Sequence, residues 1–384
     1  MNKPANPLAE ALAASLKKFD EVVAEVITPA AGDVDADGSY PRAAFDALGR
    51  HGLLGLISSA EVGGLGLSHR AAALAVEKVA QGCTSTAMVL CMHYCATAVI
   101  EAFGSIEVRR AIAAGNHVST LAFSETGSRS HFWAPVGTAA AVEGAIRLDG
   151  KKSMITSAGE ADSYVWSSRP AAAEGASTLW LVPADAAGLT VVGKFEGLGL
   201  RGNASSPITA DNVRVADSDR LGADGGGFDI MMGTVVPYFN LMTAAVSLGN
   251  MEAALGKAIA HVSATRFEHL GQSIADLPTV RAYLGRARIK VDMVRTLLMD
   301  TLDAVEQGRP DTMLRLLEVK AAAAETGTEV TDLAMRVCGG AAFRKSHGVE
   351  RHFRDARAAT VMAPTADVLY DFIGKAVCGM PVFG

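Results

Sequence analysis

The spacing of apolar residues changes twice along this chain of 384 residues, and this change constrains the fold more than any other feature. Up to about residue 115, apolar residues recur at intervals of three and four, which indicates amphipathic helices. From about 116 to 228 they form short or alternating runs that end at turn residues, which indicates strands. From 229 the helical spacing returns. We therefore predict three domains, at 1–115, 116–228 and 229–384.

The first and third blocks are predicted to be helical. In the first block we expect helices at 8–27, 41–49, 69–80 and 84–103, with the glycines of 61–69 interrupting them. The apolar stretch 87–100 is too short to cross a bilayer and is predicted to be a buried core helix. In the third block, long stretches at 234–265, 278–307, 310–338 and 365–378 are joined by short loops, which favours an antiparallel helical bundle.

The middle block is predicted to be a small barrel or sandwich. Strands are expected at 118–123, 137–142, 146–148, 164–167, 178–182, 189–192 and 207–215. Turns are expected at 148–150 and 183–185. Short strands at this spacing, without helices between them, argue against a parallel sheet with crossover helices.

Composition narrows the class of function. The 35 Lys and Arg against 41 Asp and Glu give a formal charge of −6, so we expect neither nucleic acid nor an anionic membrane as partner. Hydrophobic residues make up 49% of the chain, enough for a large core and for surface buried between subunits. The N-terminus lacks the apolar segment of a signal peptide, and the five scattered cysteines suit a reduced protein, so we expect a cytoplasmic location.

Cys91, His93 and Cys95 form a cluster that could suggest a metal site. The two thiols lie one helical turn apart, but the imidazole would point to a different face, and no second ligand pair follows. We therefore expect structural residues of a core helix and no metal.

Six short segments could carry chemistry, at 121–131, 148–161, 193–201, 266–271, 338–343 and 352–365. Each has an ordinary explanation when taken alone. The first three are typical β-loops or hairpins, and Gly339-Gly340 is typical of a helix cap. Arg266 and His269 would lie on the same side of a helix end, where an arginine is a surface charge or a clamp for a phosphate.

The order and spacing of these segments resemble the acyl-CoA dehydrogenase family of flavoproteins over nearly the whole chain. The matching residues are Ser124-Glu125, Gly150-Lys151 with Ile155-Thr156, Gly199-Leu200-Arg201-Gly202, Arg266, Gly339-Gly340 and Arg354-Asp355-Ala356. The resemblance implies an acyl-CoA dehydrogenase-like fold, with an N-terminal α-helical domain, a middle β-barrel or sandwich domain and a C-terminal four-helix bundle. It also implies assembly as a homo-oligomer, a dimer or tetramer.

The resemblance implies FAD as the cofactor, bound between subunits. By analogy Phe123, Ser124 and Thr156 would line the isoalloxazine ring, with Met154 and Ser157 in the same stretch and Thr365 at the flavin again. Arg266, with His269 beside it, would reach the FAD pyrophosphate of a neighbouring subunit, and Gly339-Gly340 would let the backbone approach the same dinucleotide. The residues implied for substrate binding are Ser130, Phe239, Asn240 and Ala363.

The chain departs from the family where the catalytic glutamate is expected. One position for this base, nine residues after Arg354, holds Ala363, and the alternative position, ten residues before Gly249, holds Phe239. The arginine that usually follows the second position is Asn240, and a usual glutamine before the Gly-Gly pair is Arg336. Neither alanine nor phenylalanine can accept the α-proton of an acyl thioester.

Three functions therefore stay open. The favoured hypothesis is a flavin-dependent oxygenase acting with O₂ on an acyl-CoA or related thioester, including a carrier-protein thioester. The second is an acyl-CoA dehydrogenase with an unusual base, for which Asp367 and Tyr238 are candidates and His93 is a weaker one. The third is a non-catalytic partner subunit. An electron-transfer flavoprotein or a flavin reductase is the expected redox partner.

Overall fold

The computed structural model describes residues 7–128 and 130–382. The N-terminal block is helical, as predicted, with two helices at 28–37 and 106–113 that the apolar spacing did not show. Its helices are α1 (Pro7–Val22), α2 (Thr28–Asp37), α3 (Arg42–Arg50), α4 (His69–Gly82), α5 (Thr84–Phe103) and α6 (Ile106–Ala113). A single π-helical segment, Val23–Ile27, joins α1 to α2, and a 3₁₀ turn covers Ala60–Val62.

Helix α5 is the central helix of this block. Nearly all of its side chains are buried, which confirms the core helix predicted from the stretch 87–100. Two helical stretches, Thr84–Phe103 and Gly227–Ala264, are long and apolar enough to span a membrane by length and composition. The most apolar windows of these stretches are 78% and 72% buried inside the protein. The expectation that 87–100 is too short was therefore wrong, since the helix that contains it has 20 residues.

The middle block contains two four-stranded sheets. Its strands are β1 (Ser119–Ala122), β2 (Thr138–Val142), β3 (Ala145–Ile155), β4 (Ser163–Ser168), β5 (Thr178–Pro183), β6 (Leu189–Val191), β7 (Ser206–Val215) and β8 (Arg220–Leu221). One sheet has the order β1-β4-β5-β8 and the other β2-β3-β7-β6. The β1–β4 pair is parallel and the other pairs are antiparallel. Two 3₁₀ turns, Arg201–Asn203 and Asp217–Asp219, flank β7.

The turn predicted at 148–150 was wrong. Strand β3 runs without interruption through Asp149-Gly150, and a β-bulge between Leu148 and Gly150 absorbs the irregularity in its pairing with β7. A glycine is needed here because Gly150 passes close to Gly137 and to the Trp166 ring of the facing sheet. The actual reversal comes earlier, at Gly144, whose φ of 70° favours glycine.

The C-terminal block is a helical bundle built around one apolar helix. Its helices are α7 (Gly227–Ile230), α8 (Val236–Ala264), α9 (Pro278–Gln307), α10 (Thr312–Cys338), α11 (Val349–Val361) and α12 (Ala366–Val377). A π-helical segment covers Met231–Val235, 3₁₀ turns cover Ile274–Asp276, Gly339–Phe343 and Lys345–His347, and a small hairpin pairs β9 (Arg266–Phe267) with β10 (Gln272–Ser273). Helix α8 packs against α4, α9, α10 and α11. Helix α11 was missed because its charged residues hide the apolar spacing.

Two of the recognised motifs join the three blocks. The Arg354 guanidinium on α11 donates to Asp35 of α2, at 2.5 and 2.9 Å, and to the Leu198 carbonyl at 3.0 Å. The neighbouring Asp355 carboxylate accepts the Leu200 N–H at 2.6 Å. These contacts join the Arg-Asp-Ala stretch to the Gly-x-Arg-Gly loop and to α2. The predicted domain boundaries at 115 and 228 stay a prediction.

Candidate active site

A cleft with a volume of about 1080 Å³ lies between the middle sheets and the C-terminal helices. It collects residues from the ends of β1 and β3, from α8, and from the segment between α11 and α12. Nine of the residues predicted from the sequence line it: Phe123, Ser124, Ser130, Met154, Thr156, Phe239, Ala363, Thr365 and Asp367.

The wall contributed by the middle block is formed by two neighbouring strand ends. Ser124 follows β1, and its carbonyl accepts the Ser153 N–H of β3 at 2.9 Å. Thr156 follows β3, with its Oγ1 atom 3.2 Å from Ser205 Oγ. Met154 has a φ of 54° and is 62% exposed, so its thioether lies on the open face of this wall. The wall is therefore apolar with hydroxyl groups at fixed positions.

A buried ion pair supports that wall from behind. Lys152 Nζ lies 2.7 Å from Glu125 Oε1, and both side chains are almost fully buried. The same ammonium donates to Ser167 O at 2.7 Å and Oγ at 2.9 Å, while the Glu125 carboxylate accepts the N–H groups of Val136 and Gly137. Burial, which Glu125 only partly offsets, lowers the pKa of Lys152 to about 8. Glu125 is therefore committed to structure.

The helical wall holds both positions at which a catalytic glutamate was expected. Phe239 lies on α8, and Ala363 lies between α11 and α12, 124 residues later in the chain, yet both line this cleft. Behind them Lys320 of α10 donates to the carbonyls of Met362 and Pro364, at 3.1 and 2.6 Å. This side of the cleft thus has an apolar surface with a buried cation beneath it.

Two carboxylates belong to the cleft lining within the described residues, Glu125 and Asp367. The first is the ion-paired group described above. Asp367 is exposed in the first turn of α12, where the cleft meets a second recess of about 540 Å³. His131 also lines both spaces and was not singled out from the sequence. Among the described residues of the lining, therefore, no carboxylate is both buried and free of an ion pair.

The comparisons with known proteins follow the same three blocks. Family models described as the N-terminal, middle and C-terminal domains of acyl-CoA dehydrogenase match residues 9–115, 120–213 and 225–378. The chain belongs to the acyl-CoA dehydrogenase family. The mitochondrial short-chain specific acyl-CoA dehydrogenase of Homo sapiens is 28% identical over 88% of this chain and 83% of its own length.

Two further relatives extend the comparison. The benzylmalonyl-CoA dehydrogenase of Aromatoleum aromaticum is 26% identical over 92% of this chain and 94% of its own length. The solved FAD complex of PigA has the same fold, with a TM-score of 0.87 at 19% identity, covering 98% of this chain and 99% of that one. FAD is the cofactor of the acyl-CoA dehydrogenase family.

The cleft fits a flavin ring by its own chemistry. Its walls are apolar, as a tricyclic aromatic system requires, and hydroxyl groups of Ser124, Thr156 and Thr365 are available at its edge. The Asn203 side chain also lines the cleft, and its Oδ1 atom is buried without a hydrogen-bond partner in the described part of the chain. An orphaned acceptor of this kind suits the N–H edge of a heterocycle.

Four of the predicted cofactor residues lie away from the cleft. Arg266 and His269 are exposed on the β9–β10 hairpin, and Gly339 and Gly340 are exposed at the end of α10. A side chain added at either glycine would meet no neighbouring atom in the chain. They could approach FAD only from another subunit, as the family resemblance implies, and this role stays a prediction.

Two candidate bases do not belong to the described cleft lining. His93 is fully buried, with Nε2 3.2 Å from the Leu54 carbonyl and Nδ1 accepting the Ser119 N–H, so it does not face the cleft. The Tyr238 ring stacks on His69, with ring centroids 3.9 Å apart, and is not part of the cleft lining. Both sit on helices near the cleft, but the helical phase turns them into the core.

Two other predicted residues, Ser157 and Asn240, are buried next to cleft residues without belonging to the described lining. Ser157 is buried at a φ of 62°, and its N–H donates to the Asn203 carbonyl. Asn240 is buried and donates from Nδ2 to the Leu316 carbonyl of α10 at 3.0 Å, and it is not part of the described cleft lining. Arg336 lies over the Tyr283 ring, 5.0 Å from its centroid, on the side of α9.

The sequence analysis missed several residues that shape the site: Met88, Met92, His131, Asn203, Phe195 and Lys320. One of them carried a visible signal. Lys320 interrupts an otherwise apolar face of α10 that includes Leu316 and Ala324, and a lone cation at such a position needs an explanation. The methionines carried none, since their spacing on α5 is that of any core helix.

Proposed function

We propose that this chain is an FAD-dependent oxidoreductase that oxygenates an acyl thioester without a carboxylate base at the reacting carbon. One observation carries the proposal: Ala363 and Phe239, which occupy both expected base positions, face the same cleft. Desaturation needs a group that removes the α-proton, and neither side chain can do so. When bound, FAD accepts electrons and, in its reduced form, reacts with O₂.

The surroundings of these two residues suit chemistry that must exclude water. The apolar part of the cleft lining includes Met88, Met92, Leu121, Phe132, Phe195, Val235 and Met362. Methionine side chains adapt their shape and make favourable contacts with aromatic rings. We therefore propose a bulky or ring-bearing acyl group, in line with the name of the benzylmalonyl-CoA relative. In the reaction, one oxygen atom enters the acyl group and the other leaves as water, with two electrons from an external donor such as a flavin reductase.

A dehydrogenase is the second candidate, and Asp367 is the observation that favours it. This carboxylate lines the cleft, and the curated relatives named above are dehydrogenases. Its exposure at the junction with the second recess is unfavourable for a base, because a water-poor setting strengthens proton abstraction from carbon. An electron-transfer flavoprotein would then be the acceptor. The third hypothesis, a non-catalytic partner subunit, is less favoured because such a subunit would not require a cleft of about 1080 Å³.

We also propose a homo-oligomer. Among the described residues the cleft lining contains no lysine or arginine, and the exposed Arg266 of a second copy is suited to supply a cation to the pyrophosphate of FAD. Phe343 is 83% exposed beside Gly339-Gly340, and Ile289 and Met293 on α9 are also exposed, which fits contacts between copies. The cysteines are unpaired, and a cytoplasmic location stays our proposal.

An anaerobic experiment tests the function. The FAD-loaded protein is mixed without O₂ with a panel of acyl-CoA esters that includes ring-bearing members, and flavin absorbance is followed. The oxygenase predicts no bleaching until a chemical reductant is added, and then an oxygenated product when O₂ is admitted. Rapid bleaching by an acyl-CoA alone would refute it in favour of the dehydrogenase, and an Asp367→Asn variant would then show whether that carboxylate is the base.

A further inference from the structure

Lys320 is a buried lysine with no assigned role next to the cleft. It lies in the middle of α10 and is 2% exposed. Its Nζ atom donates to Pro364 O at 2.6 Å and to Met362 O at 3.1 Å, and lies 5.8 Å from the centre of the Phe239 ring. Both of these hydrogen bonds therefore go to the helical wall of the cleft, which carries Phe239 and Ala363 at the two positions where a base was expected.

This ammonium has no carboxylate partner among the described residues, unlike Lys152, which is paired with Glu125. Burial lowers the pKa of Lys320 to about 7, and the nearby Cys91 opposes this shift. A buried cation without a counter-ion is costly to a fold. The contacts that keep it there fix one short segment, from Met362 to Thr365.

The hydrogen bonds of Lys320 decide how that segment faces the cleft. In a planar trans peptide, N–H and C=O point in opposite directions. Fixing the carbonyls of Met362 and Pro364 on Lys320 therefore directs the N–H groups of Ala363 and Thr365 away from it. Both of these residues line the cleft, and neither N–H donates a hydrogen bond within the described part of the chain.

We propose that Lys320 is a positioning residue: its ammonium holds the Met362–Thr365 segment so that the amide groups at 363 and 365 meet the carbonyl of a bound acyl thioester. The proposal rests on the proposed substrate class for its last step only. A small cavity of about 20 Å³, lined by Lys320, Thr243 and Ser247, lies beside the side chain, with room for about one water. That space also makes the side chain replaceable by a small amine.

Chemical rescue tests the first step without any substrate. The experiment uses the FAD-loaded protein, in which Lys320→Ala removes the atoms of propylammonium. Hydrogen exchange is measured at two amides, one at either end of the segment. They are the N–H of Met362, which donates to the Ala358 carbonyl, and the N–H of Leu369, which donates to the Thr365 carbonyl. We expect exchange at both to rise by about tenfold, as for the loss of one or two buried hydrogen bonds, and to return with propylammonium but not with 1-propanol. Lys290→Ala, which breaks an exposed ion pair between α9 and α10, is the matched control and should leave both amides unchanged.

Two outcomes would overturn the first step. Exchange in Lys320→Ala equal to that of the native chain would show that the segment does not depend on Lys320. Equal rescue by propylammonium and 1-propanol would show that the side chain only fills space. If Lys320→Ala does not fold, the Lys320→Gln variant is measured instead, because glutamine keeps N–H donors but lacks the positive charge. We expect the same increase in hydrogen exchange in this variant. Exchange rates equal to those of the native chain would refute the need for an ammonium group.

Ligand binding tests the second step. Dissociation constants are measured for phenylacetyl-CoA, which carries a ring-bearing acyl group, and for S-(2-phenylethyl)-CoA, the thioether that lacks the carbonyl. We expect the Lys320 variants to weaken binding of phenylacetyl-CoA by about tenfold and of the thioether by less than twofold. Equal weakening of both would refute an effect through the carbonyl. If the native protein binds neither CoA compound, the thioester assignment fails, while the exchange result still decides whether Lys320 positions the segment.

Discussion

The Lys152–Glu125 pair gives the sharpest stability prediction. Replacing Glu125 with Gln keeps the size of the side chain but removes the charge that faces Lys152 Nζ at 2.7 Å. The N–H groups of Val136 and Gly137 then compete for one amide oxygen where they had a carboxylate. The variant is expected to lose about 3–5 kcal/mol of unfolding free energy, the usual result of leaving one partner of a buried pair.

An upper limit for the charge contribution follows from the lysine itself. Without Glu125 the pKa of Lys152 falls below its present value of about 8, and the most that the side chain can lose at pH 7 is its proton. Deprotonating a lysine of ordinary pKa 10.5 at pH 7 costs about 5 kcal/mol, at 1.36 kcal/mol per pKa unit. The loss in Glu125→Gln should therefore not exceed this by more than the cost of one strained amide hydrogen bond.

A double-mutant cycle supplies the control. Equilibrium urea unfolding is followed by tryptophan fluorescence, since the Trp166 ring lies 5.0 Å from Lys152 Nζ. Lys152→Met alone should also be strongly destabilising, because it leaves the Glu125 carboxylate buried and unpaired. The double variant should be more stable than either single one, as apolar or neutral replacements of a whole pair generally are. A loss below about 1 kcal/mol in Glu125→Gln, or a double variant with additive losses, would refute the reasoning.

Three further predictions follow from the cleft and its supports. Ala363→Glu should place a carboxylate in the cleft, so that acyl-CoA esters bleach the flavin without O₂, whereas the control Ala363→Gln should not allow bleaching. Stopped-flow absorbance measures the bleaching, and equal behaviour of the two variants would contradict the assignment of this position as a base position. Burial raises the pKa of Asp355 from 3.8 to about 6, so the folded chain binds more protons between these values and loses stability as pH rises through them. Asp355→Asn should gain about 3 kcal/mol relative to the native chain between pH 4 and 7 in urea unfolding, and parallel curves would contradict this. Tyr238→Phe should leave turnover within twofold at all pH values, because the ring stacks on His69 outside the cleft; a lost ionisation in the pH–rate profile would contradict it.

Much of the fold could be predicted because local patterns and structure agree over long stretches. The periodic apolar run at 278–307 is helix α9 with the same bounds, and six of the seven predicted strands agree with β1, β2 and β4–β7 to within about one residue at each end. The seventh, at 146–148, covers only the start of β3. Prediction failed where a local signal was overridden. Asp149-Gly150 has turn chemistry, but pairing on both sides of β3 carries the strand through it as a bulge.

The candidate site was predictable in the part that consists of strand ends and loops. Phe123, Ser124 and Thr156 follow β1 and β3, and the end of a strand fixes where the next residues lie. Side chains on helices were harder, because a residue one position from the cleft-facing one is turned about 100° away. Phe239 lines the cleft and its neighbours Tyr238 and Asn240 do not.

A sequence can show that a residue is missing from a motif, but only the fold shows what else reaches the same point. The glutamates absent at Phe239 and Ala363 could have been replaced by any acid from elsewhere in the chain. Among the described residues the cleft offers Glu125, which is held by Lys152, and Asp367, which is exposed. Behind Phe239 and Ala363 lies Lys320, whose Nζ atom donates to the carbonyls of Met362 and Pro364 and not into the cleft. Because the described lining places no buried, unpaired carboxylate near these two positions, it offers no base for desaturation there, and this is why oxygenation remains our first choice.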